Sequence, residues 1–294
     1  MALAGQQYLG PYRLLHVVKT GQTSQVWAAI NDKDQFRCAL KTILGDFRKD
    51  REHLAYMKNE FLVGRTLEHE RVIRIFEQGV SQGIPYLVME FFPYPNMKDI
   101  ILRVLDQVDF MLPTIIERAA EGLAYFNEKG WVHRDVKPDN FLVNLDGEVK
   151  LIDFALAQRQ KGGLAKLLAR KSKIQGTRSY MSPEQIRGQP LDVRSDVYSF
   201  GCTIYHLLAA QPPYTGVTSN ELLGKHISAP IPVIETQNRN ITPEFSRLLQ
   251  SMMAKRPEAR PSSMADVLRQ VRVLPLYKVP PAGPQPAGGQ ENAS

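Results

Sequence analysis

One group of ionisable residues in the middle of the chain contains what a phosphoryl-transfer reaction needs. Residues 133–140 read HRDVKPDN, so Asp135 precedes Asn140 by five positions, in a loop that follows a segment with helical periodicity. Thirteen residues after Asn140, the strand-like run 149–152 leads into Asp153. Phosphoryl transfer requires a carboxylate that accepts a hydroxyl proton, and oxygen ligands for the Mg²⁺ that neutralises phosphate charge. The two motifs together supply these groups, and their spacing favours this chemistry.

The elements that must position these residues change in character along the chain. Five β-branched or aromatic runs precede residue 92, at 12–18, 25–30, 36–42, 72–79 and 85–90. Between the third and the fourth run, the apolar spacing over 48–67 predicts a helix. After a breaker cluster at 93–96, helical patterns occur at 113–129, 194–210, 219–227, 243–255 and 262–273. The sequence therefore predicts an α+β fold with a small lobe (1–92), a larger, mainly helical lobe (93–273) and a flexible Pro/Gly/Ala-rich tail (274–294).

Composition and charge argue against several other classes of protein. The 294 residues are 43% hydrophobic and 23% charged, which is typical of a globular chain with a buried core. There is neither a run of about 18 apolar residues nor a signal-peptide pattern, so we expect a cytoplasmic chain without a membrane span. The net charge of +7 suits a protein that handles triphosphates, and we expect no nucleic-acid partner. Two distant cysteines, Cys38 and Cys202, indicate neither a disulfide framework nor a zinc site.

The HRDVKPDN motif and the Asp-Phe pair at this distance resemble the catalytic motifs of the protein kinase superfamily, over about residues 10–273. The resemblance implies a bilobal kinase fold, in which the small lobe has a five-stranded antiparallel sheet and one helix. It also implies ATP and Mg²⁺ as cofactors and proteins as substrates. By position, it implies that Asp135 is the catalytic base and that Asn140 and Asp153 bind Mg²⁺. Lys137 resembles the γ-phosphate-binding lysine of Ser/Thr kinases, which favours Ser/Thr hydroxyls as acceptors.

The small lobe carries a second motif of the same family. Residues 38–41 read CALK and resemble its Val-Ala-Ile-Lys strand, and strand alternation places Ala39 and Lys41 on one face. The resemblance implies that Lys41 binds the α/β-phosphates, that Glu60 on the following helix orients it, and that Ala39 packs on adenine. It further implies a nucleotide pocket in which Gly21 lies in the phosphate loop and Val26 forms the roof over the purine. Met89 would be the gatekeeper, Glu90 and Phe92 the hinge residues, and Leu142 the floor.

Three motifs in the large lobe agree with the resemblance. Residues 176–184 read GTRSYMSPE and resemble the peptide-positioning loop, in which Thr177 is expected to hydrogen-bond the catalytic Asp and Lys. Asp196 begins the DVYSFG motif of a central helix and is expected to hold the backbone of the catalytic loop. Arg260 is expected to pair with Glu184 of the Ser-Pro-Glu motif. The residues of these motifs most resemble those of bacterial Ser/Thr kinases of the eukaryotic type.

Two parts of the chain depart from the family pattern. The phosphate loop, KTGQTSQV at 19–26, keeps only Gly21, because Lys19 and Ser24 replace the other two glycines. Glycine lets a backbone approach phosphates closely, so we expect this loop to contribute less to nucleotide binding. Ala155 replaces the glycine of Asp-Phe-Gly and restricts φ, so we expect that loop to switch less freely. These departures leave open a pseudokinase that binds partners without catalysis, and a kinase for small molecules is a third alternative.

The segment between the Asp-Phe-Ala motif and the peptide-positioning loop is strongly basic. Its cationic residues include Lys161, Lys166, Arg170, Lys171 and Lys173. Arg134 resembles the arginine that holds a phosphorylated activation loop in the family. This leads to the hypothesis that Ser172 is an autophosphorylation site whose phosphate pairs with Arg134. The alternative is a solvated basic loop, and the sequence leaves the protein substrate, the upstream signal and the oligomeric state open.

Overall fold

An antiparallel sheet forms the N-terminal part of the structure, a computed structural model that describes residues 8–160 and 175–283. Its strands follow the spatial order β1-β2-β3-β4-β6-β5. They are β1 (Tyr8–Leu9), β2 (Tyr12–Thr20), β3 (Ser24–Asn31), β4 (Phe36–Ile43), β5 (Ile75–Ser81) and β6 (Ile84–Glu90). The five predicted strands are all present. The sixth, β1, is too short to produce an alternating pattern, and it pairs with β2 across a two-residue turn in which Gly10 has a φ of +60°.

One helix packs against this sheet. α1 (Arg51–Gly64) begins after Asp50, whose carboxylate accepts the backbone N–H of Glu52 at 2.7 Å. Near its C-terminal end the helix approaches the sheet closely, since a Cβ on Gly64 would be 2.4 Å from Cδ1 of Ile75. α1 is shorter than the predicted helix over 48–67, because Asp50 caps its N-terminus and apolar spacing alone does not mark where a helix begins or ends. The buried face of α1 includes the carboxylate residue Glu60.

The C-terminal part of the structure is mainly helical. Its helices are α2 (Met97–Arg103), α3 (Leu105–Val108), α4 (Leu112–Glu128), α5 (Pro183–Ile186), α6 (Val193–Ala209), α7 (Ser219–Ser228), α8 (Pro243–Met252) and α9 (Met264–Val273). The five predicted helices correspond to α4 and α6–α9. α2 was not predicted, because it starts directly after the breaker cluster, where Asn96 caps the N–H of Asp99 at 2.9 Å. No helix within 8–160 or 175–283 has both the length and the apolar character needed to cross a bilayer.

Short strands and one buried helix organise the loops between these helices. β7 (Trp131–Val132) pairs with β10 (Gln158–Arg159), and β8 (Phe141–Val143) pairs with β9 (Val149–Leu151). α6 is the central helix, with every residue from Ser195 to Leu208 buried. A single apolar cluster extends from Ala39 and Met89 in the sheet through α4 to α6 and α8. The sheet and the helical part therefore share a core, and the predicted α+β class with two lobes is confirmed.

The segment after α9 packs against the helical part, in contrast to the predicted flexible tail. Tyr277 forms a β-bridge with the residue before Thr242, and the Thr242 N–H donates to the carbonyl of Leu276 at 3.0 Å. Leu276 and Tyr277 are both buried. The prediction of a tail from residue 274 is therefore wrong for its first residues, because these two apolar side chains are accommodated beside α8 despite the Pro-rich composition around them. The predicted tail from residue 284 lies outside the described residues.

Candidate active site

Lys41, on β4, lies between two carboxylates. Its Nζ is 2.7 Å from Oε2 and 2.9 Å from Oε1 of Glu60 on α1. The same Nζ is 3.6 Å from Oδ1 of Asp153, which follows β9. The side chains of Glu60 and Lys41 are only 4% and 16% exposed, so water screens this pair weakly. The structure thus brings three predicted site residues from three separate elements into one ion-pair cluster.

The neighbouring charges of this cluster decide the direction of the pKa shift for two of its members, Lys41 and Asp153. Burial alone would lower the pKa of Lys41, but the carboxylates of Asp153 and Glu60 outweigh this effect and raise it. Burial would raise the pKa of Asp153, but the ammonium groups of Lys41 and Lys137 reverse this effect and hold it below its usual value. Lys41 is therefore a cation and Asp153 an anion at neutral pH.

Asp135, in the loop between β7 and β8, is surrounded by hydrogen-bond donors. The Nζ of Lys137 lies 2.7 Å from Oδ2 of Asp135. Thr177 donates its backbone N–H at 2.8 Å and its hydroxyl at 3.0 Å to Oδ1, and Lys137 donates to the Thr177 Oγ1 at 2.8 Å. Asn140 donates from Nδ2 to the backbone carbonyl of Asp135 at 2.8 Å. These contacts orient a carboxylate that is still 12% exposed to solvent.

A buried carboxylate beneath the loop holds its backbone. Asp196, in the first turn of α6, accepts the N–H groups of His133 at 2.8 Å and Arg134 at 3.0 Å, together with Nδ2 of Asn127 at 2.8 Å. Burial raises the pKa of Asp196. Arg134 has a φ of 71°, which is uncommon for a residue with a side chain. The buried hydrogen bonds therefore maintain an unfavourable backbone conformation directly before Asp135.

Asn140 and Asp153 offer oxygen atoms that suit a divalent metal. Nδ2 of Asn140 faces the carbonyl of Asp135, which leaves its Oδ1 as the ligand atom. The Asp153 carboxylate is 36% exposed. The two residues lie on adjacent chain segments, because the Ile152 N–H donates to the Asn140 carbonyl at 2.9 Å. One carboxylate and one amide oxygen fit a hard cation that takes its remaining ligands from phosphates and water.

Strand register places four predicted nucleotide-binding residues on one face of the sheet. Val26 on β3 is the Cα partner of Lys41, and Met89 on β6 is the Cα partner of Ala39. Directly opposed residues of an antiparallel pair point to the same face, as do residues two apart on one strand. Val26, Ala39, Lys41 and Met89 therefore share the face that carries the ion-pair cluster.

The hinge backbone uses one donor and one acceptor for hydrogen bonds within the protein. The N–H of Glu90 donates to the carbonyl of Arg74, and the carbonyl of Phe92 accepts the N–H of Tyr94, both at 2.9 Å. Contacts to a purine edge would therefore use the carbonyl of Glu90 and the N–H of Phe92. This is a complementary pair, since a purine edge presents both donor and acceptor atoms.

The two remaining predicted pocket residues lie on different elements. Leu142, on β8, forms a β-bridge with Asn96, the residue that caps α2. Gly21 lies in the turn between β2 and β3, where its N–H donates to the carbonyl of Ser24 at 2.9 Å. Gly21 has no left-handed φ, and a Cβ there would meet nothing closer than 3.4 Å. The turn itself thus does not demand glycine, and any such demand would come from a ligand close to the loop.

Comparison with known proteins identifies the family. The model of the protein kinase domain matches residues 12–271. This chain belongs to the protein kinase domain family. The use of ATP with a divalent metal follows from that membership and agrees with the ion-pair cluster and the Asn140–Asp153 pair described above.

The kinase domain is similar to several bacterial proteins. It is 29% identical over 274 residues to a probable serine/threonine-protein kinase of Streptomyces coelicolor, and 28% identical over 261 residues to the serine/threonine-protein kinase PknB of Mycolicibacterium smegmatis. These matches cover 91% and 87% of this chain but only 39% and 41% of the relatives. The serine/threonine-protein kinase PknL of Mycobacterium tuberculosis is 28% identical over 269 residues, which are 90% of this chain and 67% of that protein. The chain thus spans about two fifths of the first two relatives.

The kinase domain also contains the expected buried ion pair of the large lobe. Arg260 donates from Nη1 and Nη2 to the two carboxylate oxygens of Glu184, at 2.7 and 2.9 Å. The side chains are 0% and 6% exposed. Burial would raise the pKa of Glu184, but the hydrogen bonds and the charge of Arg260 lower it. This pair joins the peptide-positioning loop to the segment before α9.

Two residues that support the site, Asn59 and Gln185, were not among the predicted site residues. Asn59 donates from Nδ2 to backbone carbonyls directly after Asp153. Gln185 donates from Nε2 to the carbonyls of Arg134 at 2.8 Å and Gln175 at 2.5 Å. Of these two residues, only Asn59 could have been suspected from the sequence. Asparagine is unfavourable inside a helix, so its presence there suggests a specific contact. Ser172 lies outside the described residues, so the phosphorylation hypothesis stays a prediction.

Proposed function

We propose that this kinase domain is a protein serine/threonine kinase that uses Mg-ATP. The observation that carries the proposal is the hydrogen-bonded set of Asp135, Lys137 and Thr177, which accompanies the ion-pair cluster around Lys41. The relatives described above are named serine/threonine-protein kinases, which supports Ser/Thr hydroxyls as acceptors. Mg²⁺ as the metal and proteins as the substrates are part of the proposal.

In this proposal Asp135 accepts the proton of the substrate hydroxyl. The hydroxyl oxygen attacks the γ-phosphorus, the bond to the β–γ bridging oxygen breaks, and ADP leaves. Thr177 fixes the plane of the Asp135 carboxylate through its two hydrogen bonds to Oδ1. Lys137 contributes a positive charge next to the transferred group, 2.7 Å from Oδ2 of Asp135.

The remaining site residues bind the nucleotide and its metal. Lys41, oriented by Glu60, would bind the α/β-phosphates. Asn140 and Asp153 would hold the metal, whose contribution when bound is to neutralise phosphate charge. The nucleotide itself would contact Gly21, Val26, Ala39, Met89, Glu90, Phe92 and Leu142.

The proposal extends to the lobe boundary and the compartment. We place the boundary after residue 92, because β6 ends at Glu90 and α2 begins at Met97. The packed residues after α9 are assigned to the large lobe. A reducing compartment such as the cytoplasm is supported by the use of ATP and by Cys38 and Cys202, which are both buried free thiols.

A transfer assay tests the function against its alternatives. The protein is incubated with γ-labelled ATP, Mg²⁺ and a mixture of unstructured proteins or a peptide library, and the labelled products are hydrolysed for phosphoamino-acid analysis. We expect label on phosphoserine or phosphothreonine. Label only on small metabolites would indicate a small-molecule kinase. A protein that binds ATP but transfers no label to any acceptor would be a pseudokinase, and the proposal would be wrong.

A further inference from the structure

Asn59 forms a second connection between the helix that carries Glu60 and the backbone that follows Asp153. It directly precedes Glu60 in α1 and is partly buried. Its Nδ2 lies 3.3 Å from the carbonyl oxygen of Phe154, 3.0 Å from that of Ala155 and 2.9 Å from that of Ala157. An amide nitrogen carries two hydrogens, so three carbonyls share two donors in a partly bifurcated arrangement.

These contacts close a ring of interactions around the ion-pair cluster. Lys41 joins Glu60 to Asp153 through its ammonium group. Asn59, next to Glu60, is hydrogen-bonded to the residue next to Asp153. The same two chain segments are therefore joined twice, once by charge and once by a neutral amide.

We propose that Asn59 is a positioning residue that keeps Glu60 and Asp153 in register with each other, so that Lys41 and the metal-ligand carboxylate are placed together. This inference rests on the proposed function for its kinetic consequence. Its structural part, the attachment of residues 154–157 to α1, is independent of catalysis.

The backbone that Asn59 holds needs such an attachment. Asp153 has a φ of 66°, a left-handed conformation that is uncommon for a residue with a side chain. The carbonyls that follow belong to an irregular segment with two local hydrogen bonds, from the Ala157 N–H to the Phe154 carbonyl at 3.1 Å and from the Ala155 N–H to Oδ1 of Asp153 at 3.3 Å. Hydrogen bonds from outside the segment therefore stabilise a conformation that its own local geometry does not favour.

A second side chain on the same face of α1, that of Tyr56, contacts Gln175, which lies just before the peptide-positioning loop. Tyr56 lies three residues before Asn59, which places the two side chains on adjacent turns of one face. Gln175 donates from Nε2 to the Tyr56 hydroxyl oxygen at 2.7 Å, and Tyr56 donates to Oε1 of Glu52 at 2.6 Å. Gln175 stands two residues before Thr177, which bonds Asp135. α1 thus contacts both the segment after Asp153 and the segment before Thr177.

Three substitutions of Asn59 separate the amide donor from simple packing. N59L and N59D keep a side chain of similar size without the donor, and N59D also brings a carboxylate towards three carbonyl oxygens. N59A removes the bulk as well, although alanine is a better helix former than asparagine. If the amide donor matters, N59D should change the hydrogen exchange of residues 153–160 and the kinetics most, and N59L should also change both clearly. If only packing matters, N59A is the most affected. The matched control is K58A, at the exposed preceding position of α1.

Amide hydrogen exchange of the nucleotide-free protein gives a readout that does not depend on activity. We expect the peptide covering residues 153–160 to exchange about tenfold faster in N59D and N59L than in wild type, and K58A to match wild type. The rest of α1 and the large lobe should be unchanged, which separates loss of the attachment from general destabilisation. Wild-type exchange of 153–160 in both N59D and N59L would overturn the inference, and N59L decides the matter if N59D does not fold.

Kinetics then test the consequence for the site. With Mg-ATP and a peptide substrate, kcat/KM for ATP should fall about tenfold in N59D and N59L, while K58A is unaffected. Faster exchange with unchanged kcat/KM would overturn the positioning role. A wild-type protein that transfers no phosphate would refute the proposed function, whereas the exchange experiment would still judge the attachment.

Discussion

The substitution Glu184→Gln would break the most deeply buried ion pair described here while keeping the shape of the side chain. Arg260 is fully buried, and its guanidinium also donates to backbone carbonyls of residues 194, 254 and 255. It lies over the ring of Tyr198, with Cζ 4.9 Å from the ring centroid. In the E184Q variant the guanidinium would keep these contacts and lose its carboxylate. A buried cation without a counter-charge would result.

The expected decrease in the free energy of unfolding follows from the burial of both Glu184 and Arg260. Removing one partner of a buried ion pair costs about 3–5 kcal/mol, because the other charge stays desolvated. The glutamine retains one oxygen for a hydrogen bond, so we expect a value near the lower limit, about 3 kcal/mol. For a domain of this length each kcal/mol shifts Tm by about 2–4 °C, which corresponds to a decrease of roughly 6–12 °C.

The assay is urea unfolding followed by tryptophan fluorescence, together with thermal unfolding, for wild type and two variants. Glu244→Gln is the matched control, because Glu244 and Arg247 also approach within 2.7 Å but are 48% and 67% exposed. Exposed ion pairs contribute little, so E244Q should unfold like wild type. Equal unfolding midpoints for E184Q and E244Q would refute the reasoning that burial gives this pair its strength.

The remaining predictions concern pH and the phosphate loop. His226 is buried and lies near Lys255, so its pKa is lowered to about 4. As the pH falls from about 6.5 to 4, the unfolded state therefore takes up a proton at this histidine and the folded state does not. The free energy of unfolding should decrease by about 3 kcal/mol over that range. Urea unfolding at each pH should show a clearly smaller decrease in H226F. Replacing both Lys19 and Ser24 by glycine should lower KM for ATP several-fold, or by about 1 kcal/mol, because glycines let backbone amides approach the phosphates. A higher KM would instead show that Lys19, whose Cα pairs with Val26, contributes to the site.

Much of the fold could be predicted from local patterns. The strands around Lys41 are rich in β-branched and apolar residues, and α4 and α6–α9 show clear helical spacing. The resemblance of the motifs to those of protein kinases identified Lys41, Glu60, Asp135 and Asp153 as site candidates, and these residue types suit the chemistry of phosphoryl transfer.

Features that depend on distant parts of the chain could not be predicted in this way. α2 begins at a cap that follows two prolines, and the breaker cluster conceals its start. Leu276 and Tyr277 are buried through contacts with distant residues, among them the backbone of residues 241–242 and the side chain of Asp109, and their Pro-rich surroundings do not reveal these contacts. The role of Asn59 depends on carbonyls about 95 residues away in the chain, and no local pattern encodes such a contact.

The most direct test of the catalytic assignment compares Asp135→Asn with Asp153→Asn in one set of measurements. Turnover is measured with γ-labelled ATP, Mg²⁺ and a phosphorylatable peptide, and nucleotide affinity is measured separately by calorimetry. Asp135 acts on the hydroxyl, so D135N should lose nearly all turnover while its affinity for Mg-ATP stays close to that of wild type. Asp153 is a metal-ligand candidate, so D153N should lose both. A D135N variant that retains more than about a tenth of wild-type turnover would contradict the assignment of Asp135 as the base.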